Sequence, residues 1–304
     1  MRRWFRCSRW KSKSRDGLTL VSYLPAASNP GPSGKATKSV PMVLLVHGGP
    51  WSRDAYAFNR YHQWLANRGY AVLSVNYRGS TGFGKAFASA GDGQWGRKMQ
   101  DDLLDAVDWA VGAGVTQRNQ VAIMGGSYGG YATLAGLTFP PQAFACGVDI
   151  VGPSNLTTLL GTIPPYWESF KQQMYRRMGD PTTEAGKAWL AERWPLNSTE
   201  KIVKPLLIGQ GANDPRVNVR ESDQIVPAMA AKKIPITYVL FPDEGHGFAR
   251  PLNNIDFNAV TENFLAQCLG GRAEAIGDTL KASTGQVRHG AEFARGLVEA
   301  LAAK

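Results

Sequence analysis

A serine between glycines is the residue whose surroundings point most directly to chemistry. The sequence at 125–130 reads GGSYGG and follows the apolar run VAIM at 121–124. A short strand that turns sharply into a helix holds the residue at the turn in a strained conformation and exposes its side chain. Flanking glycines leave room for that turn. We therefore predict that Ser127 is a nucleophile. A plain glycine turn with a solvated serine is the alternative.

A serine hydroxyl needs a base, most often a histidine, to become nucleophilic near neutral pH. The chain has four histidines. His246 lies in the glycine loop DEGHGF, directly after the β-rich run at 236–241, and we predict that it is the base. His62 lies in a helix-like stretch and His289 in a polar tail, and we expect no catalytic role for either.

The base in turn needs an acid that orients it, and Asp214 has the right position. It follows the apolar run at 205–209 and falls between Ser127 and His246, which is the chain order of α/β-hydrolases. An aspartate before a proline is also a common turn or capping residue. Asp149, at the end of another apolar run, is the second candidate for the acid.

Acyl transfer also needs two backbone donors for the oxyanion. The amide of Tyr128, directly after the serine, is the usual first donor. The glycine loop HGGP at 47–50, after the apolar run at 42–46, can supply the second. We favour the Gly49 amide over that of Gly48. His47 is expected to shape this loop by hydrogen bonding and to lie beside the substrate pocket.

The elements that must position these residues alternate along the chain. Apolar strands and amphipathic helices in alternation predict a mostly parallel sheet that is covered on both faces. The three predicted catalytic residues then fall at the carboxyl ends of strands, where ligands bind in such sheets. The alternating segment 18–24 predicts an antiparallel edge strand. The predicted strands are 42–46, 71–75, 121–124, 146–151, 206–209 and 236–241, and the predicted helices are 54–67, 98–111, 128–137, 219–231 and 253–269.

A helical insertion rich in aromatic residues is predicted at 155–198. Such aromatics usually pack between helices. An insertion at this strand end would nevertheless lie near Ser127, and we predict that Tyr166 and Trp167 form a wall of the substrate pocket.

The motifs of this chain resemble those of the catalytic domain of the prolyl oligopeptidase family of serine peptidases. They are closest to the acylaminoacyl-peptidase and dipeptidyl-aminopeptidase-like branch of that family. The resemblance covers about residues 17–270. The motifs that carry it are HGGPW at 47–51, NYRGSTGFG at 76–84, WG at 95–96 with DD at 101–102, GGSYGG at 125–130, GANDPRV at 211–217 and GHGF at 245–248.

The resemblance implies an α/β-hydrolase fold and hydrolysis of peptide or acyl-amide bonds, with Ser127, Asp214 and His246 as the triad and the Tyr128 and Gly49 amides as oxyanion donors. No metal or organic cofactor is implied. Hydrolysis of short-chain acyl esters is the alternative activity, and a binding module without catalysis is a further alternative. Family members generally carry a β-propeller before this domain. No repeat of propeller length is visible here, so we expect a catalytic domain without its propeller.

The formal net charge of +10 is concentrated at the N-terminus, where seven lysines and arginines stand against one aspartate in residues 1–16. We interpret 1–16 as a solvated basic tail and 17–304 as the catalytic domain. A nucleic-acid or membrane-surface peptide is the alternative for the tail. Beyond a small peptide or ester substrate, we expect neither a nucleic-acid partner nor a membrane partner, and oligomerisation stays open.

Three cysteines at wide spacing form neither a zinc motif nor a redox motif. Cys146 is predicted to be a buried strand residue. Free thiols are typical of a reducing compartment. The N-terminus lacks the hydrophobic centre of a signal peptide, and we therefore expect a cytoplasmic protein.

Overall fold

One open sheet of nine strands forms the centre of the part of the chain that the computed structural model describes, residues 7–25, 36 and 38–304. The predicted strands at 42–46 and 236–241 have the observed bounds, and the other four agree within two residues. The strands are β1 Cys7–Lys13, β2 Thr19–Pro25, β3 Met42–Val46, β4 Ala71–Asn76, β5 Val121–Gly126, β6 Gly147–Ile150, β7 Leu206–Gly211, β8 Ile236–Phe241 and β9 Gln286–His289.

Helices follow most of these strands along the chain. They are α1 Arg60–Asn67, α2 Lys85–Ser89, α3 Lys98–Gly112, α4 Tyr128–Thr138, α5 Leu156–Gly161, α6 Glu168–Met178, α7 Glu184–Ala191, α8 Arg220–Ala230, α9 Pro251–Leu269, α10 Thr279–Ala282 and α11 Leu297–Ala302. Short 3-10 helices lie at Arg118–Gln120, Pro165–Trp167, Pro195–Lys201 and Ala291–Phe293. The insertion predicted at 155–198 contains α5, α6 and α7 and is helical as expected.

The strand order is β1-β2-β4-β3-β5-β6-β7-β8-β9. Strands β4, β3, β5, β6, β7 and β8 pair in parallel, whereas β2 is antiparallel to β4 and β9 is antiparallel to β8. The predicted α/β-hydrolase fold with a mostly parallel sheet is therefore confirmed. Because the six central strands run the same way, the loops after β5, β7 and β8 meet at one edge of the sheet.

The sheet separates two apolar cores, which explains why its central strands are nearly continuous apolar runs. Successive strand residues point to opposite faces, so Leu44 joins one core and Val43 the other. The first core includes residues of α3, α4, α8 and the insertion, such as Leu103 and Leu134. The second includes residues of α1 and α9, such as Phe257.

Two element predictions differ from the structure. The helix predicted at 54–67 begins only at Arg60, because the Asn59 side chain accepts hydrogen bonds from the backbone N–H groups of Tyr61 and His62 and caps the first turn. The segment at 18–24 is antiparallel, as predicted, but β2 is not an edge strand. Strand β1 pairs along its other side.

The solvated tail predicted at 1–16 also differs from the structure. Residues 7–13 form β1 within the sheet, and the following turn is fixed by ion pairs. Arg15 contacts Asp101 and Asp105 of α3, and Asp16 contacts Arg78. The backbone pairing with β2 and these charges hold residues 7–16 to the domain, so no boundary falls at residue 16. Residues 1–6 lie outside the described part of the chain.

The expectation of free thiols is wrong for two of the three cysteines. Cys146, just before β6, and Cys268, near the end of α9, form a disulfide. Three widely spaced cysteines gave no indication of this pair, because its members are 122 positions apart in the chain. The sequence argument for a reducing compartment loses its support. Among the described helices, none is long and apolar enough to cross a bilayer.

His62 is a buried residue of α1. Its Nε2 atom lies 2.7 Å from the Ser74 hydroxyl on β4. Burial lowers the pKa of His62 to about 4, because the imidazolium would lose its hydration. His62 is therefore neutral in the folded protein near neutral pH.

His62 should make the free energy of unfolding depend on pH. Between about pH 6.5 and pH 4 the unfolded chain binds a proton at this histidine and the folded chain does not, so stability falls as the pH falls. We expect His62→Gln to reduce the loss between pH 7.5 and pH 5 by about 2 kcal/mol, measured by urea unfolding.

Comparing His62→Gln with wild type separates the effect of His62 on the pH dependence of stability from the effects of other buried titratable groups. The pKa of His47 is also lowered to about 4, whereas burial raises the pKa of Asp54 and of Asp149 to about 7 and gives these two the opposite pH dependence. His47, Asp54 and Asp149 are present in both wild type and variant, so their contributions cancel when the two stability changes are subtracted. Equal losses in wild type and variant would contradict the prediction.

Candidate active site

Ser127 lies at the turn between β5 and α4 with φ 58° and ψ −117°. A positive φ is strained for a residue with a side chain, and such residues concentrate at functional sites. The backbone N–H of Ser127 donates to the Ile150 carbonyl at 2.9 Å, which ties the turn to the end of β6. The structure thus places the predicted nucleophile in a strand-to-helix turn of the expected kind.

Glycines on both sides of Ser127 permit this turn because the backbone is crowded there. A Cβ atom at Gly125 would lie 2.6 Å from the backbone of Gly129. A Cβ atom at Gly129 would lie 2.2 Å from the Val46 carbonyl oxygen on β3. Any side chain at either position would therefore force the strand and the helix apart, which is the reason inferred from the sequence.

Asp214 and His246 are joined by a hydrogen bond of 2.7 Å between Oδ2 and Nδ1. The Asp214 side chain is fully buried, and its other oxygen accepts from the backbone N–H groups of Arg216 and Val217 at 2.8 and 2.9 Å. A carboxylate can only accept, so Nδ1 of His246 carries the proton. Its Nε2 atom is left as an acceptor for a proton from a hydroxyl.

The loop that carries His246 is held by the buried side chain of Glu244. The Glu244 carboxylate accepts from the backbone N–H groups of Ala249 and Arg250 and from the Asn253 side chain, at 2.9–3.0 Å. The Glu244 carbonyl oxygen also accepts from Asn213 in the loop of Asp214. The loops after β7 and β8 therefore form one hydrogen-bonded unit that fixes acid and base together.

The loop at 47–50 packs directly against the serine turn. A Cβ atom at Gly48 would lie 2.9 Å from the Gly126 carbonyl oxygen and 3.4 Å from Cβ of Ser127. Gly49 faces the cavity in front of Ser127, as does Tyr128, the first residue of α4. Early N–H groups of a helix have no partner within it, so the amide of Tyr128 is available to a ligand.

A cavity of about 450 Å³ opens in front of Ser127. Arg216, beside Asp214, lies on its wall with the guanidinium 5.5 Å from the Trp167 ring centre. The loop that carries Asp214 and the turn that carries Ser127 thus share one cavity. The lining consists of Gly49, Trp51, Trp95, Ser127, Tyr128, Pro153, Leu159, Trp167, Phe170, Met174, Arg216 and Val217, and it is mainly apolar.

The structure separates the three predicted pocket residues. Trp167 lines the cavity, together with three other residues of the insertion. Tyr166 is 57% exposed and packs edge-on against Trp167, and it is not part of the lining. His47 is not part of the lining either, because its ring stacks on Tyr77 and both of its nitrogens lie within hydrogen-bond distance of protein atoms.

Asp149, the second candidate for the acid, lies under the start of α4. A Cβ atom at Gly130 would lie 2.2 Å from its carboxylate. Burial raises the pKa of Asp149 to about 7. Asp214 is the acid that the described hydrogen bonds connect to His246. Within the described residues, no group of three or more histidine, cysteine or carboxylate side chains is placed to hold a metal ion.

Residues 56–272 match the Prolyl oligopeptidase family. The chain belongs to this family. It is 69% identical to the dipeptidyl aminopeptidase BIII of Pseudoxanthomonas mexicana over 290 residues. This alignment covers 95% of this chain and 42% of that protein. The resemblance inferred from the motifs is therefore confirmed.

Two further comparisons agree. The dipeptidyl peptidase family member 6 of Caenorhabditis elegans is 50% identical over 279 residues, 86% of this chain and 38% of that protein. The solved structure of a Mycobacterium tuberculosis puromycin-hydrolysing peptidase superimposes with a TM-score of 0.80 and 29% identity, covering 89% of this chain and 40% of that one. The chain spans about two fifths of the length of the curated relatives it matches.

Two buried carboxylates that hold the site, Glu244 and Glu221, were not predicted from the sequence. The carboxylate of Glu221 on α8 accepts from the backbone N–H groups of Ser154 and Asn155 at 3.0 and 2.8 Å, and from the Thr158 hydroxyl. Glu221 thereby attaches the base of the insertion to the helix that follows Asp214. An acidic residue in the first turn of a predicted helix gave no local sign of this long-range contact.

Replacing Asp214 by Asn tests the tautomer argument. The Asn oxygen can still accept from the two backbone amides, but its NH₂ group cannot accept the Nδ1 proton of His246. We expect the rate of Ser127 labelling by a fluorophosphonate to fall about 10³-fold or more, with little change in melting temperature. Asp223→Asn is the control, since that carboxylate accepts from the Tyr238 hydroxyl instead. Wild-type labelling of Asp214→Asn would contradict the assignment.

Proposed function

We propose that this chain is the catalytic part of a serine peptidase and that it cleaves peptide bonds through an acyl-enzyme formed on Ser127. The observation that carries the proposal is the buried Asp214–His246 hydrogen bond beside a cavity that exposes a strained serine. Membership of the prolyl oligopeptidase family supports the same chemistry.

In the proposed reaction, the Ser127 hydroxyl oxygen attacks the carbonyl carbon and passes its proton to Nε2 of His246. Asp214 remains ionised and stabilises the imidazolium. The amides of Tyr128 and Gly49 hold the oxyanion. Collapse of the tetrahedral intermediate breaks the C–N bond, and His246 protonates the departing amine. Water, deprotonated by the same histidine, then releases the acyl group and restores Ser127.

The cavity favours a bulky apolar side chain on the acyl side of the bond. Both proposed oxyanion donors line it, so a carbonyl held there would direct the neighbouring side chain among Trp51, Trp167 and Phe170. Burying a large apolar side chain in such a pocket contributes about 1.5–3 kcal/mol. Arg216 is the one charged residue of the lining, and it can donate to a substrate carbonyl or carboxylate.

The relatives support amide hydrolysis, since their names describe peptidases and a puromycin-hydrolysing enzyme. These proteins are more than twice as long as this chain. Release of dipeptides requires recognition of a free amino group, and no carboxylate lines the described cavity. The proposal is therefore limited to cleavage after a bulky apolar residue. Cytoplasmic location stays a prediction, and the disulfide favours an oxidising compartment instead.

The proposal is tested by comparing peptide p-nitroanilides with p-nitrophenyl esters, using wild type and Ser127→Ala. We expect both substrate types to be hydrolysed by wild type and neither by the variant. Fluorophosphonate should label wild type at Ser127, detected by mass spectrometry. Turnover of esters alone would favour the carboxylesterase alternative. Neither turnover nor labelling would indicate a module without catalysis.

Replacing Trp167 tests the assignment of the cavity to the acyl side chain. We expect Trp167→Ala to lower kcat/KM about tenfold for substrates with Phe or Leu before the scissile bond, because a large wall of the pocket is lost. For Ala in the same position, the change should be less than about threefold. Tyr166→Ala is the matched control, since this neighbouring ring lies outside the cavity, and its selectivity should equal that of wild type. Equal effects of Trp167→Ala on large and small side chains would contradict the assignment.

A further inference from the structure

The segment after β4 contacts the glycine loop at 47–50 and has no role in the reaction proposed above. We propose that Ser80 is a positioning residue, which acts through His47 to fix the Gly48–Gly49 peptide unit and so aims the Gly49 N–H at the oxyanion. This inference rests on the proposed function and extends it to a residue that does not line the cavity.

The hydrogen bonds around His47 define its tautomer. Nδ1 lies 2.8 Å from the Gly48 carbonyl oxygen, and Nε2 lies 2.9 Å from the Ser80 hydroxyl. Burial lowers the pKa of His47 to about 4, so the ring is neutral near neutral pH and has one donor and one acceptor. A carbonyl can only accept, so Nδ1 carries the proton. Nε2 is therefore the acceptor, and the fully buried Ser80 hydroxyl donates to it.

The bond to the Gly48 carbonyl determines where the Gly49 N–H points. The two groups belong to one trans peptide unit, in which C=O and N–H point in opposite directions. Nδ1 of His47 holds the carbonyl, so the Gly49 N–H of the same peptide unit is directed away from His47. Gly49 lines the cavity in front of Ser127, which is where that N–H would meet the oxyanion. Without that anchor, the glycine peptide could rotate, since neither residue has a side chain to restrict it.

Three further contacts restrict the same loop. The Tyr77 hydroxyl donates to the His47 carbonyl at 2.8 Å, and the Tyr77 ring stacks on the imidazole at a centroid distance of 4.4 Å. Gly48 is confined by the backbone of Gly126. These contacts hold the position of the loop. The Ser80 hydroxyl donates to Nε2 on the far side of the ring, and so keeps Nδ1–H directed at the Gly48 carbonyl.

The chain contains a matched control for Ser80. Ser74 is also fully buried, and its hydroxyl lies 2.7 Å from Nε2 of the other buried histidine, His62. His62 does not contact the oxyanion loop in the described hydrogen bonds. Ser80→Ala and Ser74→Ala therefore each remove one serine–histidine hydrogen bond, and only the first is connected to Gly49.

We expect Ser80→Ala to lower kcat for a peptide p-nitroanilide about tenfold with KM within twofold, because the oxyanion exists only along the reaction path. A peptide trifluoromethyl ketone, which forms an oxyanion on Ser127, should bind about tenfold more weakly. Ser74→Ala should lower the melting temperature similarly and leave kcat within twofold. Unchanged kcat and inhibitor affinity in Ser80→Ala, or equal losses in both variants, would overturn the inference.

A second measurement does not depend on turnover. In protein with ¹⁵N-labelled histidine, NMR should show His47 as the Nδ1–H tautomer, identified as the signal that changes in Ser80→Ala and not in Ser74→Ala. An Nε2–H tautomer, or spectra that Ser80→Ala leaves unchanged, would overturn the inference even in an active enzyme. Failure of the proposed function looks different: wild type would then show neither turnover nor labelling of Ser127.

Discussion

The hydrogen bond between Asp214 and His246 is the interaction on which the proposed chemistry depends. It forms only because β7 and β8 are parallel neighbours, so that the loops after them leave the sheet at the same edge. One oxygen of Asp214 is occupied by two backbone amides, and the other is left for the imidazole. The backbone of the loop after β7 thereby determines which nitrogen of His246 is left free to accept a proton.

Close backbone approach is the constraint on the opposite side of the cavity. The serine turn, β3 and the loop at 47–50 are so near one another that Cβ atoms at Gly48, Gly125 and Gly129 would overlap or crowd their neighbours. Because glycine has no side chain, peptide rotation at these positions lacks its usual restriction. Buried polar side chains supply that restriction instead, as His47 does for the Gly48 carbonyl.

The sequence predicted what local patterns encode. Continuous apolar runs located all six central strands, and glycine spacing located Ser127, because each signal lies within a few residues. The contacts of Tyr77 directly after β4, the disulfide partner of Cys146 and the partners of the Glu221 carboxylate could not be predicted in this way. Their partners are 30–122 residues distant in the chain, and only the folded sheet brings them together. The sequence also could not predict which of Tyr166 and Trp167 lines the cavity, because adjacent aromatics in a 3-10 helix point to different surroundings.

Each part of the site is held by a different buried charge. Glu244 holds the loop of the base, Glu221 holds the insertion, and the Asp102 carboxylate binds both the backbone and the guanidinium of Arg78, two residues before Ser80. Asp16, in the turn after β1, completes that last network. Removing one partner of a buried charge is costly, so each of these carboxylates fixes its own loop. Asp16, near the N-terminus of the described chain, therefore supports the side of the site that includes the loop at 47–50, although it is remote from Ser127 in sequence.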